Sequence, residues 1–294
     1  MMDLGIVQSG IFEDVPKHGR FLYFQLKHDA TAEALTNCLN DVAQDIDGQT
    51  AVIGLGDACL AKLQAKGVEP LEFPMYETRD VQVPSTPAAL LLWLRAEDQG
   101  DMIHLAQTLL TKLSGCFELH SNIEAFTYKE GRDLTGYEDG TENPEGEEAF
   151  DVAFSQSPAG GSYLAIQQWQ HDLAFFKSKP QQEQDHTIGR RLSDNEELDD
   201  APESAHVKRT EQEGFDPETF LLRRSMAYGD GEKAGLMFLA FAGTTESFKR
   251  IIAKMVGEED GIVDNLFTFT RPLTGAFFWC PPMKAGRFDL SSIV

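Results

Sequence analysis

The sequence predicts an α+β fold made of two ferredoxin-like units, with antiparallel sheets that carry helices on their outer faces. In the first half, strand-like and amphipathic helical runs follow the order strand, helix, strand, strand, helix, strand. The second half repeats this order, and residues 88–113 and 235–256 each contain an apolar strand, a short polar link and an amphipathic helix. Two such units packed together form an architecture of the dimeric α+β barrel type, and a single larger antiparallel fold is the alternative.

The first predicted unit spans residues 1–150 and ends in a Gly-rich polar loop. Residues 31–46 repeat apolar side chains at helical spacing, and Thr31 is suited to cap the first turn. The same spacing in residues 102–113 predicts a second helix. Apolar and aromatic runs predict strands over residues 21–26, 50–55, 88–94 and 117–128.

The second predicted unit spans residues 151–294. Alternating side chains in residues 162–168 predict its first strand, and the helical material that follows in residues 173–192 is interrupted by Pro180. Further strands are predicted over residues 220–228, 236–241 and 266–279, and a further helix over residues 248–256.

The composition describes a folded protein with a strongly acidic surface. The chain has 294 residues, of which 41% are hydrophobic, and its net charge is −23 from 48 acidic and 25 basic side chains. Such a surface repels nucleic acid and anionic membranes, so neither is expected as a partner. The sequence shows no apolar span of membrane length and no N-terminal leader pattern, and we therefore expect a cytoplasmic protein.

The cysteine pattern indicates reduced thiols rather than a metal site or a disulfide framework. The four cysteines, which lie far apart and mostly within apolar runs, are Cys38, Cys59, Cys116 and Cys280. No CxxC or CxxCH motif is present, which excludes a zinc ribbon, a thioredoxin-like site and a covalently attached haem. Buried thiols of this kind fit the reducing cytoplasm.

The polar loop lies between two apolar regions and runs from Gly131 to Pro144, with the sequence Gly-Arg-Asp-Leu-Thr-Gly-Tyr-Glu-Asp-Gly-Thr-Glu-Asn-Pro. Its glycines permit unusual backbone angles, and Pro144 restricts Asn143 to extended conformations. From the residues alone a long turn is the favoured interpretation, because Asp139 followed by glycine is a common hairpin signal. An active-site loop is the alternative.

The histidines do not define a metal site by their spacing. The seven are His18, His28, His104, His120, His171, His186 and His206. No two stand at the spacing of zinc ligands, which disfavours a zinc site. A haem iron needs only one protein imidazole, and a single imidazole leaves no spacing signature. The residues alone therefore do not select one histidine.

Three segments, taken in order, resemble the dye-decolorising peroxidases, a family of haem enzymes. Residues 136–140, Gly-Tyr-Glu-Asp-Gly, continued by Thr-Glu-Asn-Pro, resemble the GxxDG motif of the family. Residues 205–209, Ala-His-Val-Lys-Arg, resemble the segment that supplies the proximal haem ligand. Residues 221–229, Leu-Leu-Arg-Arg-Ser-Met-Ala-Tyr-Gly, resemble the strand that carries the distal arginine, although Ala227 stands where related sequences often have Pro. A lone GxxDG would be weak support, but the ordered set is specific and the resemblance covers most of the chain.

On the proximal side, the resemblance implies that His206 is the metal ligand that binds the iron of haem b. It also implies that Asp264 accepts the other imidazole N–H of His206, which makes the imidazole a stronger donor to the iron. Basic residues cluster in this segment, which is unexpected in so acidic a chain. Arg209 is therefore expected to face the haem propionates.

On the distal side, the resemblance implies that Asp139 is the general base and that Arg223 stabilises developing charge. In a strand, Arg223 and Ser225 share one face and Arg224 points away. Ser225 is therefore the expected polar partner at the haem, and Arg224 is the rival for the distal role. Phe238 resembles the aromatic that covers the distal side of the haem, and core packing accounts for it equally.

The family resemblance implies a haem peroxidase that uses hydrogen peroxide to oxidise organic substrates such as dyes and phenols in one-electron steps. A homo-oligomer is expected, because oligomers are common among the relatives. Donors too large for the haem pocket are expected to pass electrons through surface aromatic residues. The candidates for this transfer are Trp93, Trp169, Trp279 and Tyr137.

Two other functions remain open at the level of sequence. A non-peroxidase haem-binding or haem-handling protein would need His206 but neither Asp139 nor Arg223. A cofactor-free ferredoxin-like binding module would need none of the three. Purified protein with a haem absorption band would exclude the second alternative.

Overall fold

Strands from both halves of the chain form one antiparallel sheet, and helices lie outside it. The structure, a computed structural model, describes residues 3–78 and 81–294. The helices are α1 (Ser9–Phe12), α2 (Ala32–Val42), α3 (Asp57–Leu63), α4 (Gln99–Leu113), α5 (Gly146–Ala153), α6 (Leu173–Ser178), α7 (Gln181–Ile188), α8 (His206–Thr210) and α9 (Glu246–Met255), and 3₁₀ turns occur at Leu4–Ile6, Gln212–Gly214 and Asn265–Thr268. The strands are β1 (His18–Leu26), β2 (Ala51–Leu55), β3 (Tyr76–Glu77), β4 (Gln82–Val83), β5 (Leu90–Ala96), β6 (Phe117–Phe126), β7 (Ser162–His171), β8 (Leu222–Arg223), β9 (Met226–Gly229), β10 (Ala234–Ala242), β11 (Thr270–Pro272), β12 (Ala276–Cys280), β13 (Met283–Lys284) and β14 (Arg287–Phe288).

The large sheet closes on itself into a barrel. Its strand order is β7–β12–β2–β5–β1–β6–β9–β10, and β10 pairs back onto β7 from Gly235 to Ala242. β11 continues the edge of β7 beyond β12, and β8 continues the edge of β10 beyond β9. The predicted α+β class, with two ferredoxin-like units that share an antiparallel barrel, is confirmed.

The two units meet along two short seams. Within the first unit, β1 pairs with β6 from His18 to Leu26. Across one seam, by contrast, β12 pairs with β2 only at Trp279 and Leu55. Across the other, β6 pairs with β9 only at its last two residues, 125 and 126. The barrel is therefore closed by far fewer ladder positions between the units than within them.

Side-chain alternation along the strands separates two cores. Inside the barrel, the rings of Phe21 and Trp93 stack with centroids 6.1 Å apart, and Trp93 stacks on Phe241 at 6.2 Å. Outside the barrel, Leu22 and Leu92 face the helices of the first unit. The barrel interior is filled by aromatic and aliphatic side chains, so the ligand space must lie outside it.

The helices cover the two halves of the sheet differently. In the first unit, α2 and α4 press Leu35, Leu39, Leu109 and Leu113 directly onto the sheet, and all four are fully buried. In the second unit, α9 packs against the sheet through Phe248, but a large space remains between the sheet and α7, α8 and α9. The second unit therefore provides the cavity.

Several predicted segments have different boundaries in the structure. The strand predicted over residues 220–228 is divided into β8 and β9 with residues 224 and 225 between them, although the N–H of Arg224 still donates to the carbonyl of Leu239 in β10 at 2.9 Å. The helical segment predicted over residues 173–192 is two short helices, and Pro180 stands at the N-cap of the second. The last predicted strand begins as a 3₁₀ turn and is interrupted between β11 and β12.

The helices are short, and side chains cap several of them. Asp98 caps α4 by accepting the N–H of Gly100 at 2.7 Å, and Thr31 caps α2 by accepting the N–H of Ala34 at 3.1 Å. The longest helix of the described ranges, α4, has 15 residues. No helix in those ranges combines the length and the apolar character that a bilayer crossing requires.

Candidate active site

A cavity, the main cavity, lies between the outer face of β7 and β10 and the segments that carry α7, α8 and α9. Polar groups reach it from the polar loop, β7, β8 and α8. Its apolar lining comprises Ile188, Leu221, Leu236, Phe238, Phe248, Ile251, Ile252, Met255, Leu266 and Phe269. A mostly apolar space with a few convergent polar groups is the usual form of a ligand or cofactor site.

His206 lines the main cavity as the first residue of α8. Its Nδ1 lies 2.7 Å from Oδ2 of Asp264, whose side chain is fully buried. The other oxygen of Asp264 accepts the N–H of Leu266 at 2.8 Å, which fixes the carboxylate. Because a carboxylate only accepts hydrogen bonds, Nδ1 carries the hydrogen of this bond. Nε2 has no hydrogen-bond partner among the described residues, so it is available to a metal.

Asp139 and Arg223 line the same cavity, the first from the polar loop and the second from β8. Neither side chain forms a hydrogen bond or an ion pair within residues 3–78 and 81–294, and Nε of Arg223 is buried without a partner. A buried donor without an acceptor is costly, so this arrangement suits a ligand that supplies the missing partner. The cavity thus combines a free carboxylate, a free guanidinium and a free imidazole nitrogen.

The end of the polar loop is attached to β8 by two amide side chains. Nδ2 of Asn143 donates to the carbonyl of Arg223 at 3.0 Å, and the N–H of Arg223 donates to Oδ1 of Asn143 at 2.8 Å. Buried Gln212 donates from Nε2 to the carbonyl of Glu142 and accepts the N–H of Leu221, both at 2.8 Å. Each amide replaces the backbone partners of a neighbouring strand, so the loop is held at a fixed spacing from β8.

The beginning of the polar loop is held by His171, the last residue of β7. Its Nε2 lies 2.9 Å from Oδ2 of Asp133, and its Nδ1 lies 2.6 Å from Oγ1 of Thr270. The hydroxyl of Thr270 also lies 3.0 Å from the carbonyl of Gln170. Both ring nitrogens of His171 therefore have partners within the protein, one at Asp133 and one at Thr270.

Asp133 stays ionised although it is largely buried. Burial acts to raise the pKa of its carboxyl group, but hydrogen bonds from His171 and Thr135 outweigh burial and hold the pKa below its ordinary value. In the middle of the loop, the hydroxyl of buried Tyr137 donates to Asp185. Burial and the Asp185 carboxylate raise the pKa of Tyr137, so its phenol stays neutral. The loop therefore presents a fixed charge at its start and a neutral phenol at its centre.

Four of the sequence-predicted site residues line the main cavity: Asp139, Arg223, His206 and Phe238. Asp264 lies behind His206 and contacts its ring nitrogen rather than the cavity. The structure therefore brings the predicted metal ligand and the predicted distal pair to one space. Their chemical roles stay predictions.

The prediction that Arg209 faces a haem propionate is wrong. Its guanidinium is buried, pairs with both oxygens of Asp260 at 2.8 and 2.9 Å, and donates to the carbonyl of Lys254 at 2.6 Å. All of these contacts tie α8 to the end of α9, and Arg209 does not line the main cavity. Its charge is already used within the protein.

Ser225 is not among the residues that line the main cavity, but its Oγ, like Nε of Arg223, is buried without a hydrogen-bond partner, so its contact with the cofactor stays a prediction. The prediction assumed an unbroken strand, whereas residues 224 and 225 lie in the break between β8 and β9. The neighbouring Arg224 donates to the carbonyl of Phe12 and does not line the cavity either. Burial lowers the pKa of Arg224 to about 10. Of the two adjacent arginines, only Arg223 lines the cavity.

Sequence reasoning missed several residues that build the site. His171, Asp133 and Gln212 received no role, although all three line the cavity. One signal was present: Gln167, Trp169 and His171 occupy alternate positions of β7, and all three line the cavity. For Gln212 no local signal exists, because its partners are 70 and 9 residues away in sequence.

The aromatic residues proposed as surface electron carriers are buried. Trp93 and Trp279 are fully buried within the protein, and Trp169 and Tyr137 are 6% and 4% exposed. Trp169 and Tyr137 line the main cavity instead. The expectation that these side chains reach the surface is therefore wrong.

The residues of the main cavity fit a haem. The cavity is mostly apolar and contains one imidazole whose Nε2 has no partner and whose Nδ1 pairs with a carboxylate. A haem iron needs one such ligand from the protein. A bare metal ion needs several, and the described part of the chain contains no group of three or more His, Cys, Asp or Glu side chains that could hold one. The unpaired guanidinium of Arg223 adds a partner for negative charge.

Comparisons with known sequences match this chain to dye-decolorizing peroxidases. Residues 130–285 match the family model described as Dyp-type peroxidase, C-terminal. A dye-decolorizing peroxidase of Brevibacterium linens is 29% identical over 285 residues, which cover 89% of this chain and 77% of the relative. A dye-decolorizing peroxidase of Rhodococcus erythropolis is 32% identical over 248 residues, which cover 80% of this chain and 72% of the relative.

Solved structures with the same fold include Dyp-type peroxidases. A dyp-type peroxidase protein from Shewanella oneidensis superposes with a TM-score of 0.86 at 27% identity, and the match covers 96% of each chain. A variant of DypB from Rhodococcus jostii RHA1, solved in complex with heme, superposes with a TM-score of 0.81 at 25% identity and covers 91% of this chain and 93% of the other. The similarity therefore extends over both units of the barrel.

Proposed function

Because the chain belongs to the Dyp-type peroxidase family, we propose that it uses hydrogen peroxide to oxidise organic molecules such as phenols and dyes in one-electron steps. The proposed cofactor is haem b, held through Nε2 of His206. The observation that carries the proposal is the main cavity, where His206, Asp139 and Arg223 meet with free polar groups. When bound, the haem would supply the redox chemistry that couples reduction of peroxide to oxidation of the organic donor.

On the proposed distal side, Asp139 acts as a proton carrier for peroxide. Its carboxylate is unpaired, so it can take the proton from one peroxide oxygen and return it to the other as the O–O bond breaks. A positioned acid–base group of this kind contributes roughly 10²–10⁴-fold. Arg223 directs its unpaired guanidinium at the negative charge that develops on the departing oxygen.

On the proposed proximal side, Asp264 acts through His206. It accepts the Nδ1 hydrogen at 2.7 Å from a fully buried position, which orients the ring and enriches Nε2 in electron density. The N–H of Leu266 holds the carboxylate in place from its other oxygen. His206 is therefore expected to be a stronger donor to iron than an imidazole without a carboxylate partner.

The test mixes haem-loaded protein with hydrogen peroxide in a stopped-flow instrument and follows the Soret band. The wild type is expected to react rapidly, and Asp139→Ala and Arg223→Leu are expected to react at least about 100-fold more slowly. Glu145→Ala and Arg287→Leu are matched controls, because both side chains are exposed and lie outside the main cavity.

The same experiment separates the proposal from a haem-binding protein without peroxidase function. A haem-handling protein would need His206 alone. If the wild type binds haem but shows no rapid reaction with peroxide, or if Asp139→Ala and Arg223→Leu react as fast as the wild type, the peroxidase assignment of these residues is refuted.

A further inference from the structure

A second cavity, the outer groove, lies on the solvent side of the main cavity wall. It is more open to solvent than the main cavity. His171, Phe269 and Thr270 line both spaces, so a single layer of side chains separates them. The rings of His171 and Phe269 stand 5.9 Å apart. This layer is therefore thin and partly aromatic.

The layer between the two spaces is held firmly. His171 is fixed by hydrogen bonds from both ring nitrogens, at 2.9 Å to Asp133 and 2.6 Å to Thr270. Phe269 packs on buried Phe176 with ring centroids 4.3 Å apart. A ligand in the outer groove would thus rest against a fixed surface and would not need to displace the layer to approach the main cavity.

The lining of the outer groove combines an apolar floor with an acidic rim. Phe267, Phe269 and Leu173 supply apolar surface. Asp172 and Glu232 place carboxylates at the rim, and the carboxylate of Glu232 has no ion pair within residues 3–78 and 81–294. One guanidinium, that of Arg271, is also present, and it donates to the side chain of Gln170 at 3.3 Å. The lining of the groove therefore has two carboxylates, those of Asp172 and Glu232, against one guanidinium.

We propose that the outer groove binds the organic electron donor, and that it takes neutral or cationic aromatic donors such as phenols and aromatic amines. The inference rests on the proposed peroxidase function. Aromatic rings suit the apolar floor, and the acidic rim attracts amines and repels sulfonated or carboxylated rings. A donor in this position is one side-chain layer from the main cavity, so its electron can pass without entry of the donor into the cavity.

The reaction balances for a phenolic donor. One hydrogen peroxide is consumed with two donor molecules. Each donor loses one electron through the shared layer and releases one proton, which leaves a phenoxyl radical. The two electrons and two protons convert hydrogen peroxide to two molecules of water. The oxidant is therefore the peroxide of the proposed reaction, and no further reactant is required.

The groove is tested by filling it without touching the main cavity. Ala234 lines the outer groove but not the main cavity, so Ala234→Trp blocks the floor. With guaiacol as the neutral probe, kcat/KM for the donor is expected to fall about ten-fold or more, since one face of an aromatic ring loses its apolar contact. The rate of reaction with peroxide alone is expected to stay unchanged. Ala32→Trp, at an exposed alanine of α2, is the matched control.

A second variant tests the charge of the rim and does not depend on packing. Glu232→Lys reverses one exposed charge. At low ionic strength, KM for a cationic aromatic amine is expected to rise about three-fold and KM for a sulfonated dye to fall by a similar factor. Added salt should remove both shifts.

The outcomes separate the groove from the peroxidase proposal. If the wild type fails to react with peroxide, the proposed function fails, and the groove inference falls with it. If Ala234→Trp reacts with peroxide normally and oxidises guaiacol with wild-type kcat/KM, the groove is not the donor site. Unchanged discrimination between cationic and anionic donors in Glu232→Lys would also overturn the inference.

Discussion

The two histidines that line the main cavity, His206 and His171, each pair with a carboxylate, but they differ at the second ring nitrogen. Nδ1 of His206 lies 2.7 Å from Asp264, and its Nε2 has no hydrogen-bond partner within residues 3–78 and 81–294. Both nitrogens of His171 have partners, Nδ1 at 2.6 Å from Thr270 and Nε2 at 2.9 Å from Asp133. The capacity to bind iron is therefore set by the partner of the second nitrogen, and neither burial nor a neighbouring carboxylate is sufficient.

The largest expected effect comes from removing the free imidazole nitrogen. His206→Gly should abolish tight haem binding, because the main cavity would then offer no axial ligand, whereas His171→Gln should retain it. The measurement is a haem titration followed by the Soret band. Added imidazole should restore the spectrum of His206→Gly. Loss of the haem spectrum in His171→Gln but not in His206→Gly would reverse the comparison.

The second expected effect is on stability and arises at the other histidine. His171→Phe leaves the largely buried carboxylate of Asp133 without its imidazole partner. Breaking such a pair costs about 3 kcal/mol of the free energy of unfolding. Urea denaturation of the haem-free protein measures it, and Asp133→Asn combined with His171→Phe should recover part of the loss because no charge then stays unpaired. An unchanged unfolding midpoint in His171→Phe would contradict the pairing.

The third effect sharpens the role of the carboxylate behind His206. Asp264→Asn keeps the shape of the side chain but no longer holds a negative charge at Nδ1. Loss of such a partner lowers metal affinity about 10–100-fold. The haem dissociation rate and the reduction potential of the haem iron should both rise, and both can be measured. A potential equal to that of the wild type would show that Asp264 only fixes the ring.

The fourth effect concerns the far end of the polar loop that His171 holds. Asn143→Ala removes the amide that bridges the loop to both backbone groups of Arg223. The reaction with peroxide should slow about ten-fold, because the spacing of Asp139 and Arg223 is no longer fixed. When Arg223→Leu is already present, adding Asn143→Ala should slow the reaction with peroxide little further.

Asn195→Ala is the matched control for Asn143→Ala. Its amide also contacts the polar loop, at Glu138 and Thr141, but from the outer side and without a contact to Arg223. The control should leave the peroxide reaction near the wild-type rate. Equal slowing in the two variants would show that loop anchoring in general, and not the bridge to β8, is responsible.

The smallest expected effect is a pH dependence of stability. The pKa of Asp133 in the folded protein lies below its ordinary value of 3.8, so its ion pair stabilises the fold at higher pH. This contribution is present above pH 3.8 and is lost as the pH falls through the depressed pKa. Asp133→Asn should flatten the acid limb of the stability curve by up to about 1.4 kcal/mol per pH unit. An identical acid limb in the variant would contradict the depressed pKa.

Local patterns in the sequence were sufficient for most of the architecture. Helical spacing gave α2, α4 and α9, and apolar runs gave most barrel strands, because both signals come from residues that are neighbours in sequence. The short α8 was not predicted, since its five residues are mostly polar and carry no periodic apolar face. Barrel closure between β7 and β10 was implied only by the duplication of the units.

The site was predicted less completely, because its contacts join residues that are distant in sequence. His206 and Asp264 are 58 residues apart, and only the family resemblance connected them. Arg209 failed as a predicted propionate contact because its partner, Asp260, lies 51 residues away. The position of Ser225 relative to the main cavity was not predictable from strand alternation, because the strand is interrupted after β8. The residue types identify candidate functional groups, but only the folded chain shows which of these groups already have hydrogen-bond partners within the protein.

The short seams of the barrel have a consequence for expression of separate halves. The predicted boundary between the units, at residue 150, follows the polar loop, yet that loop is fastened to β7 and β8 by His171 and Asn143. A fragment cut at residue 150 would therefore carry Asp139 away from Arg223 and would bare the strand edges that Leu55 and Trp279 now join. When the two fragments are expressed in one cell, reactivity with peroxide should return only where they associate. This chain is therefore a candidate for a split reporter of protein proximity.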